Sequence, residues 1–222
     1  MILRIFRPIL RITRSRHGPD HHARDCGTHG IEFTLDLLAR NGILAVGSAA
    51  TAELAHRGVV IARKSVGFGF LAYTFDQSNG NHRDFDDRIC MTNIDQMRSD
   101  VASLRARTDV VIVSMHAGTE YESNPNPLQQ RFARAAIDAG ASVVAGHHPH
   151  VVQTVESYGN GVIFYSLGNL VFDQFQYTKT QRGWIADVHF EAGRVASYGI
   201  IPIEIVNTVP RVQVRRPVTS VL

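Results

Sequence analysis

Short apolar segments alternate with amphipathic segments through the middle of this 222-residue chain. The segments DVVIVSM, SVVAG and GVIFY are typical of buried strands, and PLQQRFARAAIDAG, between the first two, is typical of a helix. Strands separated by helices form βαβ units, because a parallel strand needs a long crossover. The sequence therefore predicts one α/β domain with mixed sheets.

The segments before and after this central region also have patterns typical of helices and strands. GIEFTLDLLARNG predicts a helix that ends before Gly42, ILAVG a short strand, and ATAELAHRG a second helix. VVIARKSVGFGFLAYTF predicts two strands joined by a turn at Lys64 and Ser65, and the polar residues 76–91 predict a loop. TNIDQMRSDVASLRAR predicts a helix capped by Thr92, and WIADVHF and VASYGIIPIEIV predict later strands.

The charge of the chain is unevenly placed. Its formal net charge is +3, and the first 16 residues contain five arginines and no acidic residue. We predict that residues 1–19 form a disordered basic leader, that residues 20–208 form the domain, and that residues 209–222 form a C-terminal tail. Peripheral contact of the leader with an anionic membrane is the alternative. The remainder has no strong positive charge, which argues against a nucleic-acid partner.

The composition argues against several other classes of protein. The chain has no run of 18 apolar residues, and arginines interrupt the apolar stretches near its start. Neither a transmembrane helix nor a signal peptide is therefore predicted, and a cytoplasmic or a membrane-associated location stays open. Cys26 and Cys90 are too few for a disulfide framework and do not form a CxxC pair.

Histidines follow two of the predicted strands. His116 comes directly after VVIVSM, and the segment VVAGHHPH ends with His147, His148, Pro149 and His150. Because the carboxyl ends of parallel strands meet at one edge of a sheet, we expect His116, His148 and His150 to converge there. Imidazole is the commonest metal-binding side chain, and zinc, iron and manganese suit such a site. The sequence therefore predicts a metal site at this edge.

Three segments make the chain recognisable. VSMHAGTEYE, VVAGHHPHVVQ and YSLGNLVFDQ occur in this order between residues 113 and 174. They resemble the CapA family, which is named for poly-γ-glutamate capsule synthesis and has the calcineurin-like metallophosphoesterase fold. The segment DHHARDCG and the helix after it extend the resemblance over residues 20–175.

The resemblance implies a metallophosphoesterase-like α/β/β/α sandwich that binds one or two divalent ions of manganese, iron or zinc. It implies a metal-dependent hydrolase or transferase of phosphoester or amide-like bonds in capsule or poly-γ-glutamate biosynthesis, with an anionic polymer or a phosphoester as substrate. The metal ligands that it implies are His21, His116, His147, His148 and His150. The catalytic residues that it implies are His22, Asp25, Glu120 and Asn169. The HHPH register leaves His147 and His148 as alternatives for one ligand position.

The chain departs from the family pattern at its front. The family's Gly-Asp strand and Asn-Leu-Glu element, which supply carboxylate ligands, have no counterpart here, and His21 stands where the family has an asparagine. Asp25, Glu120 and Asp173 are the acids near the matched segments. We therefore expect an N-terminally truncated domain whose exposed sheet edge favours self-association. The alternative function is a catalytically inactive remnant or binding module that retains a histidine metal pocket.

Overall fold

The computed structural model describes residues 2–5, 26–74, 87–213 and 220–221. The helices in these ranges are α1 (Gly27–Arg40), α2 (Ala52–Arg57), α3 (Ile94–Arg105) and α4 (Pro127–Asp138). The strands are β1 (Ile2–Ile5), β2 (Val59–Arg63), β3 (Val66–Thr74), β4 (Val110–His116), β5 (Val143–His147), β6 (Val155–Tyr158), β7 (Gly161–Phe164), β8 (Arg182–Glu191), β9 (Arg194–Val206), β10 (Val209–Val212) and β11 (Ser220–Val221). A 3-10 helix (Thr178–Gln181) precedes β8. None of the described helices is long and apolar enough to cross a bilayer.

The strands form two sheets. The first has the order β2-β3-β4-β5-β7-β6, in which β3, β4, β5 and β7 run parallel and the outer strands β2 and β6 run antiparallel to their neighbours. The second sheet is antiparallel with the order β1-β8-β9-β10, and β11 also pairs with β9. The predicted α/β fold with mixed sheets is therefore confirmed.

Apolar side chains cover both faces of the first sheet. On one face, α3 and α4 contribute Met97, Leu104 and Phe132 to the core. On the other face lies the second sheet, and the ring centroids of Phe68 and Phe190 are 5.6 Å apart between the two sheets. Strands β4 and β5 are buried along their whole lengths, as expected for parallel strands covered on both faces. The described residues thus show a helix, sheet, sheet order.

Local sequence explains where several elements begin and turn. The side chain of Asn126 accepts a hydrogen bond from Gln129 N at 2.9 Å, the Gln129 side chain accepts one in return from Asn126 N, and Pro127 opens the helix. Between β2 and β3, Lys64 and Ser65 have φ of 47° and 65°. Two left-handed residues match the twist of a hairpin, so the predicted turn is confirmed.

Two element predictions are shifted or incomplete. Helix α3 is capped by Asn93, not by Thr92, because the Asn93 side chain accepts hydrogen bonds from the amides of Asp95 and Gln96 at 3.0 and 3.1 Å. The sequence pattern also missed β6, which forms an antiparallel hairpin with β7. Its residues VESY lack an apolar run, and cross-strand pairing decides their conformation.

The predicted strand in ILAVG is wrong. Residues 43–47 are irregular, and Ile43 is 36% exposed. The amide of Ile43 donates to Leu38 O at 2.9 Å, at the end of α1, and the amide of Cys90 donates to Gly47 O at 2.9 Å. A strand needs a paired neighbour to satisfy its backbone groups, and no strand in the described ranges pairs with residues 43–47.

Both predicted termini take part in the second sheet. Ile2–Ile5 pairs with β8, so the expectation of disorder is wrong for these four residues of the leader. The predicted boundary at residue 208 falls inside the turn between β9 and β10, where Asn207 and Thr208 have φ of 51° and 66°. Sheet edges expose unpaired backbone groups, and terminal segments of the chain satisfy some of them here. The rest of the predicted leader lies outside the described residues.

Candidate functional site

The carboxyl ends of β4 and β5 place histidines side by side. The two strands are parallel neighbours, and His116 and His147 are register partners at their ends. The amide of Ala117 donates a hydrogen bond to His147 O at 3.2 Å, which extends the pairing by one residue. The segment with His148 and His150 therefore leaves the sheet beside the loop that follows His116.

Gly146 lets a third segment approach this edge. A Cβ atom on Gly146 would lie 1.9 Å from Tyr165 O, and Gly146 O accepts a hydrogen bond from Leu167 N at 3.0 Å. No side chain fits at that distance, so the position requires glycine. The close approach carries the SLGN segment, with Asn169, next to the histidines.

The loops around the edge have unusual backbone conformations. His148, His150 and Tyr121 have φ of 95°, 61° and 65°, in the region that favours glycine. Such conformations cost of order 1–3 kcal/mol each and cluster at functional sites. The amide of Tyr121 donates to Pro149 O at 2.8 Å, which ties the loop after β4 to the HHPH turn.

The structure brings the three expected histidines together. All three are buried, and the ring centroids of His116 and His148 lie 5.0 Å apart. The rings of His148 and His150 are 6.4 Å apart. Two imidazoles that bind one ion through nitrogens at about 2.0–2.1 Å have centroids within about 6 Å of each other. The His116 and His148 rings thus fit a shared ion, whereas His150 lies at the limit.

His150 contacts two of the predicted catalytic residues. Its Nδ1 lies 3.0 Å from Asn169 Oδ1, and its Nε2 lies 3.9 Å from Glu120 Oε1. Asn169 is buried, whereas the Glu120 side chain is 41% exposed. The first contact is a hydrogen bond and the second is a longer electrostatic contact. Glu120 therefore lies at the mouth of the site and Asn169 beneath it.

The other predicted site residues have different outcomes. His147 is buried at the end of β5, and Asp173 is exposed. His21, His22 and Asp25 lie outside the described residues. Within the described ranges, no three His, Cys, Asp or Glu side chains are arranged to hold one ion. Zinc in proteins takes four ligands, so His116 and His148 alone would not form a complete zinc site. The assigned roles of these residues stay predictions.

Aromatic side chains surround His150, and sequence reasoning missed them. The Tyr121 ring stacks on His150 with centroids 6.2 Å apart, and Phe172 lies 5.1 Å away on a tilted plane. Tyr177 contacts Tyr121 at 5.1 Å. Burial raises the pKa of Tyr121, and the negative charge of Glu120 raises it further. Tyr121 directly follows Glu120 in the recognised segment, which is the one sequence signal that pointed to it.

Known proteins share this architecture. Residues 20–174 match the family model described as "Bacterial capsule synthesis protein PGA_cap". The chain is 41% identical over 118 residues to "Capsule biosynthesis protein CapA" of Bacillus anthracis, which covers 53% of this chain and 27% of that protein. It is 31% identical over 193 residues to "PGA biosynthesis protein CapA" of Bacillus subtilis (strain 168), which covers 86% of this chain and 50% of that protein. The chain thus spans half or less of the length of these relatives.

A solved structure supports the fold. The crystal structure of the 5'-nucleotidase precursor from Thermus thermophilus superposes with a TM-score of 0.56 at 13% identity, over 87% of this chain and 38% of that chain. The fold is metallophosphoesterase-like. With the family model matched over more than half of its residues, the chain belongs to the bacterial capsule synthesis protein PGA_cap family.

Proposed function

We propose that this chain acts in the biosynthesis of a capsule or poly-γ-glutamate polymer, as a metal-dependent hydrolase or transferase of phosphoester or amide-like bonds. Membership of the PGA_cap family supports the biosynthetic role. The observation that carries the metal-dependent chemistry is the pair of buried rings of His116 and His148, 5.0 Å apart at the ends of parallel strands. The proposed substrate is an anionic polymer or a phosphoester.

His116 and His148 would hold a divalent ion of manganese, iron or zinc, and His150 or His147 would complete the histidine set. A bound ion supplies Lewis-acid polarisation of the substrate oxygen and lowers the pKa of a bound water. Neutral nitrogen donors favour ions of intermediate softness over magnesium or calcium. The donor types in the structure therefore agree with the proposed metals.

Glu120, at the mouth of the site, is the proposed proton acceptor. Glu120 is partly exposed and lies 3.9 Å from His150 Nε2, and its carboxylate would accept the proton of an attacking water or hydroxyl. His116, His148 and His150 are buried, whereas Glu120 is exposed. The proposed proton acceptor is therefore the solvent-accessible member of the site.

One observation favours a second candidate, a binding module that holds a metal without turnover. A two-metal site uses a bridging carboxylate, and the one acidic side chain with a described contact to these histidines, Glu120, is exposed. A single ion on histidines is the simpler outcome of this donor set. Hydrolysis of an aryl phosphodiester and of a γ-glutamyl amide, with added metal, separates the two candidates.

Metal titration of the purified chain tests the proposal. We expect isothermal titration with Mn²⁺ or Zn²⁺ at about pH 7.5 to show about one site, and His116→Ala or His148→Ala to weaken it at least about tenfold, because each removes a nitrogen ligand. His189→Ala, near the far end of β8, is the matched control and should bind as the wild type does. Equal binding by all variants would contradict the proposal.

The same titration has a predicted pH dependence. A histidine must be neutral to bind a metal, so protons compete with the ion. Affinity should fall as the pH drops below about 6.5, where imidazoles ordinarily protonate. An affinity that stays constant between about pH 7.5 and 5.5 would show that carboxylates, not histidines, hold the ion.

A further inference from the structure

The amide of Asn169 joins His150 to the backbone of the 3-10 helix. Asn169 is 1% exposed, and its Nδ2 donates a hydrogen bond to Thr180 O at 2.9 Å. Its Oδ1 lies 3.0 Å from His150 Nδ1. The oxygen and the nitrogen of one side-chain amide thus contact two different groups. The hydrogen-bonding role of one group therefore restricts the role of the other.

The Thr180 carbonyl fixes the direction of this chain of hydrogen bonds. A backbone carbonyl accepts and never donates, so the NH₂ end of Asn169 must face Thr180. The oxygen end of Asn169 must then face His150, and an oxygen of a primary amide only accepts. A neutral His150 must therefore carry its proton on Nδ1, which leaves the lone pair on Nε2.

The Thr180 carbonyl is itself held in place. Thr180 is 1% exposed, and its hydroxyl lies 2.8 Å from Gln174 O and 2.7 Å from Tyr177 O. The backbone of Asn169 is clamped from the other side, because a Cβ on Gly183 would lie 1.8 Å from Asn169 O. Contacts of the neighbouring groups thus hold the segments that carry both partners of the hydrogen bond.

A second series of contacts links Asn169 to His150 through Gln174 and Tyr121. Gln174 Oε1 lies 3.4 Å from Asn169 Nδ2, and Gln174 Nε2 donates to the hydroxyl of Tyr121 at 3.3 Å. The Tyr121 ring stacks on His150 with an interplanar angle of 26°. The four side chains of His150, Asn169, Gln174 and Tyr121 thus form a closed ring of contacts.

We propose that Asn169, oriented by the Thr180 carbonyl and braced by Gln174 and Tyr121, is a positioning residue that holds His150 in its Nδ1–H tautomer and leaves the lone pair on Nε2, the nitrogen 3.9 Å from Glu120 Oε1. The use of that lone pair for a metal ion rests on the proposed function, whereas the tautomer follows from the hydrogen bonds. Metal-binding histidines commonly have their tautomer fixed in this way by the group on the second nitrogen.

Nitrogen NMR of the full chain tests this assignment. In metal-free protein at about pH 8, where imidazoles are neutral, long-range ¹H–¹⁵N spectra should show His150, assigned by its loss in His150→Gln, as the Nδ1–H tautomer. Asn169→Leu should convert His150 to a mixture of tautomers and weaken Mn²⁺ or Zn²⁺ binding about 10–100-fold. Gln174→Leu is the second variant if Asn169→Leu does not fold, with the same direction and a smaller effect. His116→Ala, the control, should keep the tautomer while losing metal affinity.

The outcomes separate this inference from the proposed function. A His150 that carries its proton on Nε2 in the wild type would overturn the inference, and so would an Asn169→Leu variant with unchanged tautomer and affinity. A wild-type protein with the Nδ1–H tautomer that binds no ion would support the tautomer assignment and contradict the metal site.

Discussion

At the scale of single residues, Asp100 is a buried carboxylate that is not part of the predicted histidine site. Asp100 accepts hydrogen bonds from Tyr73 Oη at 2.8 Å and from Gln96 Nε2 at 2.8 Å, and it lies 2.7 Å from His56 Nδ1. Each contact compensates for lost hydration. Burial raises the pKa of Cys90 to about 12, and the charge of Asp100 adds to this shift. Burial and Asp100 raise the pKa of Tyr73 as well.

This environment predicts a loss of stability at alkaline pH. The thiol of Cys90 ionises near its ordinary pKa of 9.0 in the unfolded chain but only near a pKa of about 12 in the folded chain. A raised folded pKa contributes stability below about pH 9 that is lost between about pH 9 and 12. At about pH 10.5 the loss attributable to Cys90 should be about 2 kcal/mol. Urea unfolding at about pH 8 and about pH 10.5 measures it.

Two cysteine variants make this measurement specific. Cys90→Ala should unfold with a smaller difference between the two pH values than the wild type. Cys26 is exposed, so Cys26→Ala should show the wild-type difference. If Cys90→Ala and Cys26→Ala behaved alike, the buried thiol would not be the source of the alkaline loss.

At the scale of elements, a glycine controls how β5 and β7 meet. Gly146 in β5 faces the Tyr165 carbonyl so closely that no Cβ fits, whereas a Cβ on Gly67 in β3 would have its nearest contact at an ordinary 3.5 Å. The two glycines are in strands of the same sheet and differ in the space around them. A comparison of the two positions therefore separates the effect of steric exclusion from the effect of strand propensity.

Substitution of these glycines by alanine should therefore have unequal effects. We expect Gly146→Ala to lower the free energy of unfolding by about 3 kcal/mol, because the strands must separate to admit the methyl group. Gly67→Ala should change it by less than about 1 kcal/mol. Urea unfolding at about pH 8 measures both variants. Similar effects of the two substitutions would contradict the described approach of Tyr165 to β5.

Sequence patterns predicted elements well where local signals were strong. The turn at Lys64 and Ser65 and helix α4 follow from hairpin length, Pro127 and periodicity. The ILAVG segment has the composition of a strand, but pairing decides strands, and composition carries no information on whether a neighbour exists. The pairing of Ile2–Ile5 with β8 joins segments from opposite ends of the chain, which no local pattern encodes.

At the scale of the whole molecule, the site is assembled from distant segments. His116 ends β4, His148 follows β5, and Asn169 reaches the site because it lies against Gly183 at the start of the second sheet. The sequence predicted that the histidines converge, because parallel strands end at a common edge of the sheet. It did not predict Tyr121, Gln174 or the Thr180 carbonyl, because loop contacts bring Tyr121 to His150, and Gln174 and the Thr180 carbonyl to Asn169.

Anomalous diffraction from crystals of the chain soaked in Mn²⁺ or Zn²⁺ tests the central claim most directly. The account predicts a metal peak within about 2.0–2.2 Å of a ring nitrogen of both His116 and His148. Crystals of His116→Ala, soaked in the same way, should lose most of the peak. A strong peak elsewhere in the molecule, or none at these histidines in a fully soaked crystal, would contradict the claim that this edge of the sheet is a metal site.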